Sequence, residues 1–76
     1  MRKLTEIQPG EIAVVDCIDI KDEPYHTRIN RVGLKCEDQV KCIRSSYGMK
    51  HLAVGQGFTT EFALRNTTCE EIWIRW

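Results

Sequence analysis

Arg28-Ile29-Asn30-Arg31-Val32-Gly33-Leu34-Lys35-Cys36-Glu37-Asp38-Gln39-Val40 is the stretch on which the reading of this chain turns. Ile29 and Val32 are three apart and share one face of a helical turn. Gly33, directly after them, is the residue that most readily takes the left-handed conformation ending a helix. A short helix therefore stops at Gly33. Leu34 is placed to fold back on the last turn, and Asp38 to Arg44 then alternates as a strand does, so helix gives way to sheet within a few residues.

Outward from this stretch, the chain reads as strand and turn. Pro24 suits the start of the helix near Tyr25, and Lys21-Asp22-Glu23-Pro24 forms a charged loop before it. Strand one runs from Glu11 to Ile20 after a Pro9-Gly10 turn, with apolar residues on both faces; a bulge near Asp16-Cys17 or burial of both faces accounts for that. Strand two, Asp38 to Arg44, leads through Ser45-Ser46-Tyr47-Gly48 into a tight hairpin with strand three, Lys50 to Val54. Gly55-Gln56-Gly57 reverses the chain into strand four, where Phe58, Thr60, Phe62 and Leu64 alternate with more polar neighbours. Thr67 and Glu70 have capping-box spacing and predict a single helical turn, and Ile72 to Trp76 closes the chain as strand five. Five short strands, a helix between strands one and two, and a helical turn before the last strand predict a small all-β fold, a five-stranded barrel whose closure removes its edges.

The 76 residues make one domain, 1–76, with one core; a chain this short buries only about 60% of the surface its unfolded form exposes. Lysine plus arginine equals aspartate plus glutamate at 11 each, so no net field draws phosphate backbones or anionic lipid, and nucleic-acid binding is disfavoured. The longest apolar run, Ile12 to Val15, falls far short of the roughly 20 residues that span a bilayer. Met1-Arg2-Lys3 is followed by Glu6, Gln8 and Pro9 rather than an apolar segment, so the expected location is the cytoplasm and Cys17, Cys36, Cys42 and Cys69 are expected as reduced thiols.

The ordered landmarks Pro9-Gly10, Ala13, Val15, Ile18, Arg28, Gly33, Leu34, Val40, Gly55, Ala63-Leu64-Arg65, Ile72 and Ile74 span nearly the whole chain. In their order and spacing the sequence resembles the ferrous iron transport protein A (FeoA) family of small cytoplasmic SH3-like domains. Two segments depart from the family pattern. Lys35-Cys36-Glu37 stands where the family often has Thr-Pro-Gly, and Ser45-Ser46-Tyr47-Gly48 replaces a proline-rich segment that is a partner surface. The resemblance implies an SH3-like barrel and a non-enzymatic accessory role in ferrous iron uptake. It implies a partner too, the membrane-embedded FeoB-type iron permease, contacted through its cytoplasmic GTPase domain at the inner face of the membrane.

The contacts expected for such a partner are Arg28 and Arg31, three apart on the helix, the hairpin residue Tyr47, and Trp73, which is out of phase with Ile72 and Ile74. Local pairing of Arg28, solvation of Arg31 and a covering role for Trp73 are the duller alternatives. No cofactor is required. For a transition metal, iron or zinc, the best donor set is Asp19, Asp22, Glu23 and His26, with Cys36 the thiol expected to be exposed. Cys17, Cys42 and Cys69 lack the short spacing of zinc sites and read as small buried hydrophobes. A metal-sensing module and an SH3-like adaptor for proline-rich peptides are the competing functions. Self-association is expected to use the short apolar terminal strand as an edge.

Overall fold

Gly33 is where the backbone makes its decisive change of course. The computed structural model describes residues 1–76. Helix α1 spans Glu23–Val32, with Asp22 extended before it and Pro24 in its first turn. Gly33 ends it at φ +90°, its N–H donating to Asn30 O while the Leu34 N–H donates to Ile29 O. This is the paired-bond stop that a left-handed residue permits. It turns Leu34 inward, where it is fully buried.

Six strands, β1 (Arg2–Lys3), β2 (Ile12–Ile18), β3 (Gln39–Ser46), β4 (Met49–Val54), β5 (Thr60–Arg65) and β6 (Ile72–Arg75), form one antiparallel sheet in the order β1-β6-β2-β3-β4-β5. Single 3₁₀ turns at Leu4–Glu6 and Gln56–Phe58, and the short helix α2 (Asn66–Cys69), complete the chain. The expected all-β SH3-like build is present, but the five-stranded closed barrel is not. A sixth strand is added at the N-terminus, and the outermost strands β1 and β5 do not pair with each other. The added strand escaped notice because it is only two polar residues long; what anchors it is Leu4 and Ile7 just beyond, both wholly buried.

Register places the apolar set on one face. Val15 lies opposite Ile74, Ala13 opposite Val40, Val40 opposite Val54, Cys42 opposite Leu52, and Leu52 opposite Phe62. Leu4, Ile7, Ile29 and Cys69 cover that face from outside the sheet and join the same core. Bulges at Val15/Cys17 and Cys42/Arg44 let the strands bend around it. Of the two alternatives for strand one, a bulge or burial of both faces, the bulge is present, and it turns Cys17 outward, so Cys17 is exposed rather than a buried hydrophobe. The hairpin is tighter than its Ser45-Ser46-Tyr47-Gly48 loop suggested: Ser46 still pairs with Met49, leaving a two-residue turn with Gly48 at φ +67°.

Two further expectations are corrected. The helical turn begins two residues early, at Asn66, with Arg65 rather than Thr67 in the cap position, and no side chain caps it. Glu70 is drawn away to Lys3 Nζ at 3.1 Å and to the Thr5 hydroxyl at 3.2 Å, which bind the N-terminal segment to α2. The terminal strand β6 is no edge, because β1 and β2 flank it; the free edges belong to β1 and β5. One polar residue sits on the interior face. Lys50 is only 6% exposed, and its ammonium donates to Ile7 O at 3.0 Å and Ser45 Oγ at 3.1 Å.

Candidate functional site

Helix α1 uses only part of its apolar face for the core. Ile29 is buried, whereas Tyr25 one turn before it and Val32 one turn after are half-buried. Facing them across a gap are Met49 at the start of β4 and Phe62, Ala63 and Leu64 of β5. The gap is a cleft of two adjoining lobes, about 160 and 340 Å³. Tyr25 and Arg65 line the smaller lobe, Val32 and Phe62 the larger, and Arg28, Ile29, Met49, Ala63 and Leu64 line both.

The walls are apolar and the charges on them are positive. Arg28 projects from α1 and Arg65 from the end of β5, and neither forms an ion pair; the ion pairs of the molecule are Lys3–Glu70, Arg75–Asp16 and Arg75–Glu37. An apolar floor between two uncommitted guanidinium groups suits a segment that offers an apolar anchor and a carboxylate. Guanidinium forks bind carboxylates with two parallel hydrogen bonds.

Of the residues expected from sequence, Arg28 alone belongs to this cleft. Arg31 is exposed in the last turn of α1, where its charge complements the helix C-terminus. Tyr47 stands fully exposed at the tip of the β3–β4 hairpin. Trp73 lies on the outer face of β6, opposite Cys17 on β2 and Lys3 on β1, with Lys3 Nζ 5.6 Å from its ring centre. Three strands separate β6 from β5, so Trp73 and the cleft are distinct surfaces.

The proposed oxygen, nitrogen and sulfur donors are not gathered. The Asp19 N–H donates to Glu71 O, Asp22 precedes α1, Glu23 opens it, His26 accepts from Asn30 Nδ2 at 3.4 Å, and Cys36 is an exposed loop thiol. No group of three or more histidine, cysteine, aspartate or glutamate residues is arranged to hold a metal ion. Burial pushes the Cys69 thiol up to about 12, against the opposing influence of Lys50, and also raises Cys42. Both are protonated at neutral pH and serve as packing volume.

Sequence reasoning missed Phe62, Leu64, Met49, Val32 and Arg65 as site residues. The available signal was the helix face Tyr25, Ile29, Val32, wider than one short core can absorb, but what faces it is set by the sheet order.

A single curled antiparallel sheet whose one long helix walls an apolar cleft defines an SH3-like domain class. Within that class, the family model for the FeoA domain matches residues 2–75, and the chain belongs to this family, which is associated with ferrous iron transport. Solved structures agree on the fold. A crystal structure of an iron uptake regulatory protein (FeoA) superposes with a TM-score of 0.81 at 20% identity, covering 97% of this chain and 95% of that one. The FeoA protein from Chlorobium tepidum gives 0.80 at 18%, covering 97% and 69%. A manganese-dependent transcriptional repressor in complex with manganese gives 0.83 at 17%, with 96% of this chain matching 35% of the repressor. No curated protein matches the sequence. No helix is long and apolar enough to cross a membrane.

Proposed function

We propose that this chain is a non-enzymatic accessory protein of ferrous iron uptake. It acts in the cytoplasm by docking on the GTPase domain of a FeoB-type iron permease. The family supports the transport role, and one observation supports docking as the mode of action: an apolar cleft bounded by the unpaired cations Arg28 and Arg65. In this reading a segment of the permease's cytoplasmic part lays an apolar side chain between Ile29 and Phe62 and sets a carboxylate on Arg28. Arg31, one helical turn on, and the exposed Tyr47 extend the contact surface beyond the cleft. Residues of the cleft centre carry most of the affinity, and the outlying charges mainly set the association rate.

The test is binding of the purified protein to the GTPase domain of the permease from the same genome, with and without guanine nucleotide. Saturable binding that Arg28→Glu weakens at least about tenfold, about 1.4 kcal/mol, supports the reading. Absence of binding in both nucleotide states, by protein shown to be folded, removes it.

A further inference from the structure

The two edges of the sheet are built differently. β1 is two residues long and carries Arg2 and Lys3, a short charged edge of the kind that resists pairing. β5 is six residues long, holds no proline or lysine, and pairs with β4 without a bulge. Its outer side has no strand partner.

Which backbone groups point outward follows from one hydrogen bond. Asn66 N–H donates to Gly48 O at 2.8 Å, so residues 48 and 66 belong to the hydrogen-bonded positions of the β4–β5 ladder. Antiparallel positions alternate, so Leu64 and Phe62 turn their N–H and C=O groups to β4. Glu61 and Ala63 turn theirs to the open edge, and Arg65 its N–H, its C=O being engaged at the start of α2. Glu61 and Arg65 are exposed, opposite in charge and without an ion-pair partner in their own chain.

We propose that β5 is a homodimer edge: two copies of this chain pair antiparallel through Thr60–Arg65 about a twofold axis at Ala63. In that register Ala63 meets the partner's Ala63, and Glu61 meets the partner's Arg65 in both directions. The outward N–H groups of Ala63 and Arg65 and the outward C=O groups of Glu61 and Ala63 then have ladder partners, while the Arg65 C=O stays with the first turn of α2. On the interior face Phe62 meets the partner's Leu64, extending the apolar floor of the cleft that both residues line. Other registers fail. A one-residue slide sets outward-pointing backbone against inward-pointing backbone, a two-residue slide sets a charged residue against Ala63, and a larger one sets Glu61 against Glu61 or Arg65 against Arg65. The twofold axis makes the interface isologous, so one edge supplies both halves. A single strand pair falls below the roughly 1,200 Å² of standard interfaces, so the association is weak and concentration-dependent.

Sedimentation equilibrium of the full chain over roughly a hundredfold range of concentration tests this. The expected weight-average mass rises from 8.8 kDa toward twice that value. Glu61→Arg and Arg65→Glu each shift the midpoint at least about tenfold to higher concentration, and the double exchange restores it. Ala63→Pro removes an N–H that points away from β4 and makes no ladder bond in the monomer, so it leaves a folded monomer; if that variant does not fold, the charge exchanges alone decide. A wild-type protein that stays monomeric throughout, or a dimer indifferent to all these variants, overturns the proposal.

Discussion

Replacing Lys50 by methionine keeps the aliphatic stem and removes the ammonium, leaving the carbonyl of Ile7 buried with its donor gone. Ile7 is wholly buried and accepts from Lys50 Nζ at 3.0 Å. An orphaned buried acceptor costs about 1–3 kcal/mol, and at about 2 kcal/mol a domain of this size loses roughly 8–16 °C in Tm. Lys50→Ala also deletes packing worth about 0.8 kcal/mol per buried methylene, bringing the loss to about 4 kcal/mol. The whole domain is worth roughly 4–11 kcal/mol at 0.05–0.15 kcal/mol per residue. The alanine variant therefore sits near the edge of unfolding. Urea denaturation with an unchanged slope measures both losses, and their difference separates packing from hydrogen bonding. Lys50→Met at or above wild-type stability would refute the idea that this ammonium ties the N-terminal turn to the β3–β4 hairpin.

Other consequences are as open to test. Gly33→Ala forces a side chain into φ +90° and costs about 1–2 kcal/mol; a Tm equal to wild type would show that the helix ends another way. A chromogenic disulfide reagent modifies Cys17 and Cys36 quickly and Cys42 and Cys69 only on unfolding, since the latter pair is buried with raised pKa values; fast reaction of all four thiols contradicts this packing. Glu70 is held below its ordinary 4.5, first by its hydrogen bond from Lys3, then by that from Thr5. A carboxylate whose folded pKa is lowered contributes stability above its unfolded value and loses it as pH falls through the folded one. Acid titration of stability is therefore shallower below 4.5 in Lys3→Met than in wild type, and an identical pH profile excludes the contribution.

The helix stop at Gly33, the strand-one bulge and the β3–β4 hairpin were legible in the sequence because each rests on local chemistry: a left-handed residue, an alternation that changes phase, a turn with glycine. Closure was not legible. Whether the outer strands meet depends on the path of Leu4 and Ile7, which reach the core through a segment whose polar residues look like loop. Glu70 shows the same limit: local spacing assigns it to a capping box, and Lys3 at the far end of the chain captures it. Of the cleft, only Arg28 was legible, from its place on the helix; the cleft exists only because the sheet order brings β5 opposite α1, and Trp73 lies on another surface.

In the proposed function the α1–β5 cleft receives the partner. Titrating ¹⁵N-labelled protein with the permease GTPase domain, and following each backbone amide, tests it most directly. The expected result is that shifts concentrate at Tyr25, Arg28, Ile29 and Val32 on the helix and at Phe62 and Leu64 across the cleft, and that Arg28→Glu suppresses them. Shifts confined to the outer face around Cys17 and Trp73, or none at saturating partner, would contradict it.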